Sequence, residues 1–259
     1  MAFVSEIRRH GRLIGALLAR EITTRFGREW GGFLWIIAEP LVFCVGVLIM
    51  WSVIKPEYEH GVRVAPFVMT GYMCLMVLRH MIGANMGAIP ANIGLLHHRQ
   101  ITILHVVFTR SLSEFAGATV AFGILYVALL ALGEVSPPSD WLLLWAGWFL
   151  VAWVSFGVSL LMAAVALRFE FMERIVPVIG YVMIPASGSF QMAAWIPARF
   201  RDEYLLLPFP HGCEMVRGAV FGEFVEVYYH PLYALAWGAG FLFSALVLLS
   251  DAKDRVHID

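Results

Sequence analysis

Lysine is nearly missing: Lys55 and Lys253 are the only two in the chain, and neither follows a glycine. A P-loop holds phosphates with a lysine ammonium and the N–H groups of a glycine-rich turn, so this chain is no nucleotide motor of that type. Charge is also scarce, at 14% Asp, Glu, Lys and Arg against 60% hydrophobic residues, and a mean hydropathy of +0.77 excludes an ordinary soluble domain. Cysteine is confined to Cys44, Cys74 and Cys213. The first two fall in apolar runs, and the third is expected on the outer side with no thiol partner in its compartment, so no disulfide framework follows. A net charge of −1, with the basic residues gathered at one edge, argues against nucleic-acid binding. A metal centre lacks ligands at usable spacing: His97 and His98 are adjacent, so on a helix they point apart, and no HExxH pattern completes a site. There is no internal repeat or low-complexity tract.

What is present is apolar length. A hydrocarbon core of about 30 Å needs roughly 20 helical residues, and six stretches qualify, near 33–54, 65–87, 104–132, 141–167, 175–197 and 231–250. Of 18 Lys and Arg, eleven fall in residues 1–32, 85–102, 168–174 and 251–259, whereas the alternate connections hold five, which puts both termini in the cytosol. Arg, Glu and Thr persist to residue 30, so no removable signal peptide is expected. In Ser5 to Arg28, Ile7, Ile14, Leu17, Leu18, Ile22 and Phe26 recur near helical spacing, while Glu21 and Arg25 form an i,i+4 pair on an expected wet side. This is a cytosolic amphipathic interface helix, for a partner or for the lipid surface. The expected fold is all-α integral membrane: this interface helix over 1–32, then six transmembrane helices over 33–259, with re-entrant helices before the last span. The re-entrant region is residues 198–230, 33 residues that are too long and too apolar for a structureless loop. A helix resting on the outer surface is the alternative there. Residues 85–102, with Pro90, Asn92, Gly94 and His97-His98-Arg99-Gln100, read as a short cytosolic helix.

Ionisable groups inside spans are costly and are suspects for function. Arg79 lies 13 residues beyond Pro66, roughly 20 Å at 1.5 Å per residue, in the inner third where its side chain can snorkel. Glu39, Arg110 and Glu114 share that depth. They fit a structural ion-pair layer (Arg110 with Glu114, Glu39 with Arg79), a proton relay, or a site for an anionic headgroup or sugar acid. The fifth stretch carries Pro177 and Pro185, and one helical face collects Tyr181, Ile184, Gly188, Gln191 and Trp195. Aromatic and amide groups together suit a sliding carbohydrate, and small-residue helix packing suits the same pattern. Ser187, in Pro185-Ala186-Ser187-Gly188, is read as a packing serine, because a nucleophile would need a histidine from another span.

The segment Arg20-Glu21-Ile22-Thr23-Thr24-Arg25-Phe26-Gly27, followed by Gly31-Gly32-Phe33-Leu34-Trp35-Ile36-Ile37-Ala38-Glu39-Pro40-Leu41, resembles the start of the first span of ABC-2 type permeases, particularly the capsular polysaccharide exporters. His211-Gly212-Cys213-Glu214-Met215-Val216-Arg217 is similar to that family's outer-side motif of His, Glu and Arg, although Leu207-Pro208 stands where the family pattern has Asn-Pro. The resemblance implies a homodimer bound to two copies of a separate ATP-hydrolysing subunit, which holds ATP and Mg while this chain binds no cofactor. It also implies export of a lipid-linked acidic polysaccharide across the bacterial inner membrane, with periplasmic adaptor and outer-membrane partners. In such a machine Arg20, Arg25, Asn92, His97, His98 and Arg99 are expected to couple to the ATPase. Trp35, Tyr72, Tyr181, Gln191 and Trp195, with Phe209 and Phe221 near the exit, are expected to line the translocation path. Arg28, Arg79 and His80 are expected at the inner entrance for an anionic lipid or sugar. An exporter of O-antigen, teichoic acid, lipid or drug shares most of these features, and a proton-coupled transporter or an intramembrane enzyme is the competing class.

Overall fold

The computed structural model describes residues 2–26, 31–92, 94, 101–169 and 171–256. In order, the elements are α1 (Ala2–Phe26), α2 (Gly31–Ile54), a hairpin of β1 (Tyr58–Glu59) and β2 (Val62–Arg63), α3 (Val64–Met86), α4 (Ile103–Ala131), α5 (Trp141–Arg168), α6 (Met172–Ala186), α7 (Ala198–Tyr204), α8 (Phe209–Phe221) and α9 (Pro231–Val256). Short 3-10 turns lie at Pro90–Asn92, Ala193–Trp195 and Gly222–Phe224.

Local chemistry sets the starts of the long helices. Thr102 caps α4 in a reciprocal pair with His105, and Asp140 Oδ1 accepts from the Leu143 N–H at 2.9 Å to cap α5. Five helices are long and apolar enough to cross a membrane: α2 from Leu34, α3, α4, α5, and α9 as far as Ser250.

α3 is the central element, buried on every face from Pro66 to Leu78. α2, α4, α5 and α8 pack around it, and α9 lies along α5. Between membrane helices, packing and interhelical hydrogen bonds take over from the hydrophobic effect. Both are visible here. The Trp148 ring stacks on Phe122 at 4.9 Å while its indole N–H donates to Thr119 at 2.9 Å, bolting α5 to α4. The Asn85 amide of α3 donates to Ser111 of α4 at 2.7 Å and to Ser159 of α5 at 2.9 Å.

The connections sort to two ends. At one, Arg63 of the hairpin donates to the Gly133 carbonyl at 2.6 Å, and Ser139 donates to Ala219 of α8. At the other, α1 meets α4 and the 3-10 turn after α3.

The stretch expected to span over 175–197 is not one continuous helix. Its helix, α6, has 15 residues, about 22 Å of rise against a core of about 30 Å, and stops at Ala186. Proline at 185 offers no N–H to continue the ladder. Gly188 then turns the chain at φ +80°, and residues 190–192 run irregularly into the turn at Ala193–Trp195. Tyr181 and Gln191 therefore do not share one helical face. The expected helix within 85–102 is described only at Pro90–Asn92 and Gly94.

Candidate functional site

At the end of the bundle where α1 meets α4, two of the residues selected for coupling meet. The Arg20 guanidinium of α1 donates to Asn92 Oδ1 at 3.1 Å, and the Asn92 amide donates to the Ala88 carbonyl at 2.8 Å, which closes the turn after α3. One residue along, Glu21 is buried, and its carboxylate sits 2.9 Å from Arg110 Nε on α4. The expected wet face of α1 at Glu21 is thus corrected: the Leu17–Glu21 edge packs inward, so α1 is fixed to two elements at once. Arg28, His97, His98 and Arg99 lie outside the described residues, as does the side chain of Arg25.

The intramembrane charges gather in a chamber of about 330 Å³ between α2, α3 and α4, lined by Glu39, Arg79, His80 and Glu114. His80 stands between two carboxylates, 3.8 Å from Glu39 and 3.8 Å from Glu114. Arg110 also donates to the Ala84 carbonyl at 3.0 Å. Arg79 is exposed and borders a second, mainly apolar groove against α6, lined by Leu78, Gly180, Tyr181 and Met183. It thereby joins the charged chamber to a greasy slot.

The densest polar network lies in the other half, on α8, which is buried from Phe209 to Val220. His211, Glu214 and Arg217 are spaced three apart, within one arc of the helix, and each fastens a different irregular segment. His211 Nε2–H donates to the Leu205 carbonyl at 2.9 Å, and its Nδ1 accepts the His230 N–H at 3.1 Å. That arrangement requires a neutral ring, and burial holds the His211 pKa below its ordinary value. Glu214 accepts the N–H groups of Ala193 at 3.2 Å and Tyr228 at 3.3 Å. Arg217, wholly buried, donates to the carbonyls of Gly188 at 2.6 Å, Gln191 at 2.9 Å and Ser189 at 2.8 Å. Its guanidinium lies 4.3 Å over the Phe67 ring and 3.8 Å from Glu214. The break after α6 is therefore capped by a side chain 26 to 29 residues further on. Close approach seals it: a Cβ on Gly71 of α3 would collide with the Ser189 carbonyl and lie 2.7 Å from the Arg217 guanidinium.

Around this staple runs a ladder of rings. Phe190 packs edge-on to Tyr72 at 5.2 Å and near Trp51 at 6.3 Å, while Trp195 lies 4.7 Å from Phe67 and 4.8 Å from His60 of the hairpin. Of the residues expected along a path, Tyr72 is in this ladder and buried, Trp195 is half-buried, and Gln191 offers its carbonyl to Arg217. Phe209 sits in the core beside Leu78 and Leu150, and Phe221 lines a cleft beside the hairpin with Tyr58 and Glu134. Trp35 and Tyr181 are uncovered by the rest of the chain. Ser187 donates to the Ile184 carbonyl at 2.7 Å and shares a hydrogen bond with Ser189, a capping role in line with the packing reading. The Cys213 thiol is buried and donates to the Gly188 carbonyl at 3.7 Å. Sequence reasoning did not select Phe190 or Phe67, or the carbonyl-clamping role of Arg217. The only signal for the last was the family-like His, Glu and Arg spacing.

No family profile matches the chain. Curated proteins do. It is 34% identical over 256 residues, 99% of this chain and 97% of the other, to the capsule polysaccharide export inner-membrane protein CtrC of Neisseria meningitidis. It is 34% identical over 247 residues, 95% of this chain and 93% of the other, to the protein of the same description, BexB, of Haemophilus influenzae. The polysialic acid transport protein KpsM of Escherichia coli is 26% identical over 220 residues, 82% of this chain and 83% of its own. With relatives above 30% identity aligned along almost its whole length, the chain belongs to the family of capsule polysaccharide export inner-membrane proteins.

Proposed function

We propose that this chain is the inner-membrane permease of a capsular polysaccharide exporter and is driven by a separate ATP-hydrolysing subunit. The observation that carries the coupling is the double attachment of α1, by Arg20 to the Asn92 turn and by Glu21 to Arg110 of α4. A push on α1 from a nucleotide-driven partner is delivered to two helices of the bundle rather than dissipated at the lipid surface. The names of the relatives supply the cargo class, and the scarcity of lysine agrees with a motor on another polypeptide.

In this reading the chain works as a homodimer with two ATPase copies that hold ATP and Mg, and both termini are cytosolic. α6 and the segment beyond it together make the fifth of six crossings, and α7 and α8 form the re-entrant pair before α9. The uncovered faces of α2 and α6, bearing Trp35, Tyr181 and Val182, turn toward the second copy, and a lipid-linked acidic polymer passes between them. The chamber at Arg79 and His80 admits the anionic end of the substrate, and the outer cleft beside Phe221 faces periplasmic adaptor and outer-membrane partners.

Purification from native membranes tests the assignment. The chain is expected to bring down a Walker-motif protein, and vesicles holding both are expected to move lipid-linked polymer only with hydrolysable ATP. Uphill transport by the chain alone under a proton gradient would overturn it.

A further inference from the structure

We infer that His10 of α1 and His105 of α4 form a proton-sensitive clasp, closed when both rings are neutral, that releases the amino-terminal part of α1 from the bundle as the medium acidifies. The rings meet edge to edge and nearly coplanar, with centroids 5.0 Å apart and planes 20° apart, and His10 Nδ1 lies 2.8 Å from His105 Nε2.

The hydrogen positions follow from a neighbour that has no choice. The Thr102 backbone N–H donates to His105 Nδ1 at 3.1 Å, so that nitrogen is a bare acceptor and the ring hydrogen sits on Nε2. Nε2–H then donates to His10 Nδ1, which is bare in its turn, and the His10 hydrogen is left on Nε2, 3.8 Å from Glu6. A proton added at His10 Nδ1 faces the His105 Nε2–H across a gap with room for one hydrogen. It can be kept only if His105 changes tautomer; the new Nδ1–H is then given to Thr102 Oγ1, 2.8 Å away, but the Thr102 N–H loses its acceptor and the reciprocal cap of α4 is weakened. A second proton sets two cations against each other, N–H facing N–H across the same gap. Among the described residues, the charged groups facing the pair are Glu6 and Arg9, themselves paired at 3.0 Å, with Arg9 directed against any charge on His105. The closed clasp carries fewer protons than the open one. It is therefore complete above the ordinary histidine range, about 6.5, and lost as pH falls through and below it.

The inference concerns this chain alone and stands independently of the assigned motor. Hydrogen–deuterium exchange of the full chain in lipid nanodiscs, corrected for intrinsic rates, reads protection of residues 2–16 at pH 8.0 and 5.5. In the wild type, protection is expected to fall at least fivefold at the lower pH. In the double variant His10→Phe, His105→Phe, which keeps an aromatic ring at each position without titratable nitrogens, it is expected to be independent of pH. Glu6→Gln is expected to keep the wild-type response. An unchanged wild-type profile, an equal fall in the double variant, or a response that disappears with Glu6→Gln would each overturn the clasp.

Discussion

Replacing Arg217 by methionine keeps the length and apolar stem of the side chain and deletes the guanidinium that clamps the break after α6. Three carbonyls, at Gly188, Ser189 and Gln191, lose their donor, and Glu214 loses its nearest cation. A hydrogen bond from a charged donor contributes about 1.5–3 kcal/mol, and stranding one member of a buried pair costs about 3–5 kcal/mol. The terms overlap, because Glu214 retains its two backbone donors, so the net cost is set at about 4 kcal/mol, close to a thousandfold in a local opening equilibrium. Arg217→Lys keeps the charge, but its compact ammonium cannot reach three carbonyls while stacking on Phe67, and about half of that cost is expected. Hydrogen–deuterium exchange of the chain in nanodiscs reads residues 187–196 against α5 and α9. Arg217→Met should expose residues 187–196 and the amide of Tyr228 by two to three orders of magnitude while α5 holds, and adding Glu214→Gln should recover part of the loss. If exchange in that segment changes less than tenfold, the clamp is not what holds the break.

Gly71→Ala drives a methyl group into the Ser189 carbonyl; it should lower stability by about 1–3 kcal/mol, read as a fall in Tm, and should abolish polymer export. Glu21→Arg and Arg110→Glu should each impair ATP-driven export, since each leaves like charges across the α1–α4 contact, and the double swap should restore at least half of it in a vesicle assay. Arg79→Ala removes an exposed cation from the joint between chamber and groove; it should block export with membrane content and ATPase binding unchanged, whereas loss of folded protein would assign Arg79 to the scaffold.

The long spans and the amphipathic α1 were legible because each depends on composition over a window of neighbours, which hydropathy and periodicity read directly. What escaped depends on distance along the chain. Residues 175–197 are apolar enough to read as one helix, and nothing local announces that Arg217 will claim the carbonyls of Gly188, Ser189 and Gln191. Glu21 looked solvated beside Arg25, but its ion partner is Arg110, 89 positions away. The pairing of Arg20 with Asn92 was approached from the family resemblance, which placed both residues in the coupling region without saying that they touch. The aromatic ladder was half visible: Tyr72 and Trp195 stand out as large rings in spans, whereas Phe190 joins them only because the chain turns at Gly188.

All three native thiols are buried and uncrosslinked, while Phe224, just beyond the deeply enclosed α8, is 97% exposed. The natural polypeptide is thus ready-made for single-site labelling. A lone cysteine substituted at Phe224 would take a maleimide dye with little background, and that dye would report on the loop between α8 and α9 during a transport cycle without the usual work of first stripping the chain of sulfhydryls.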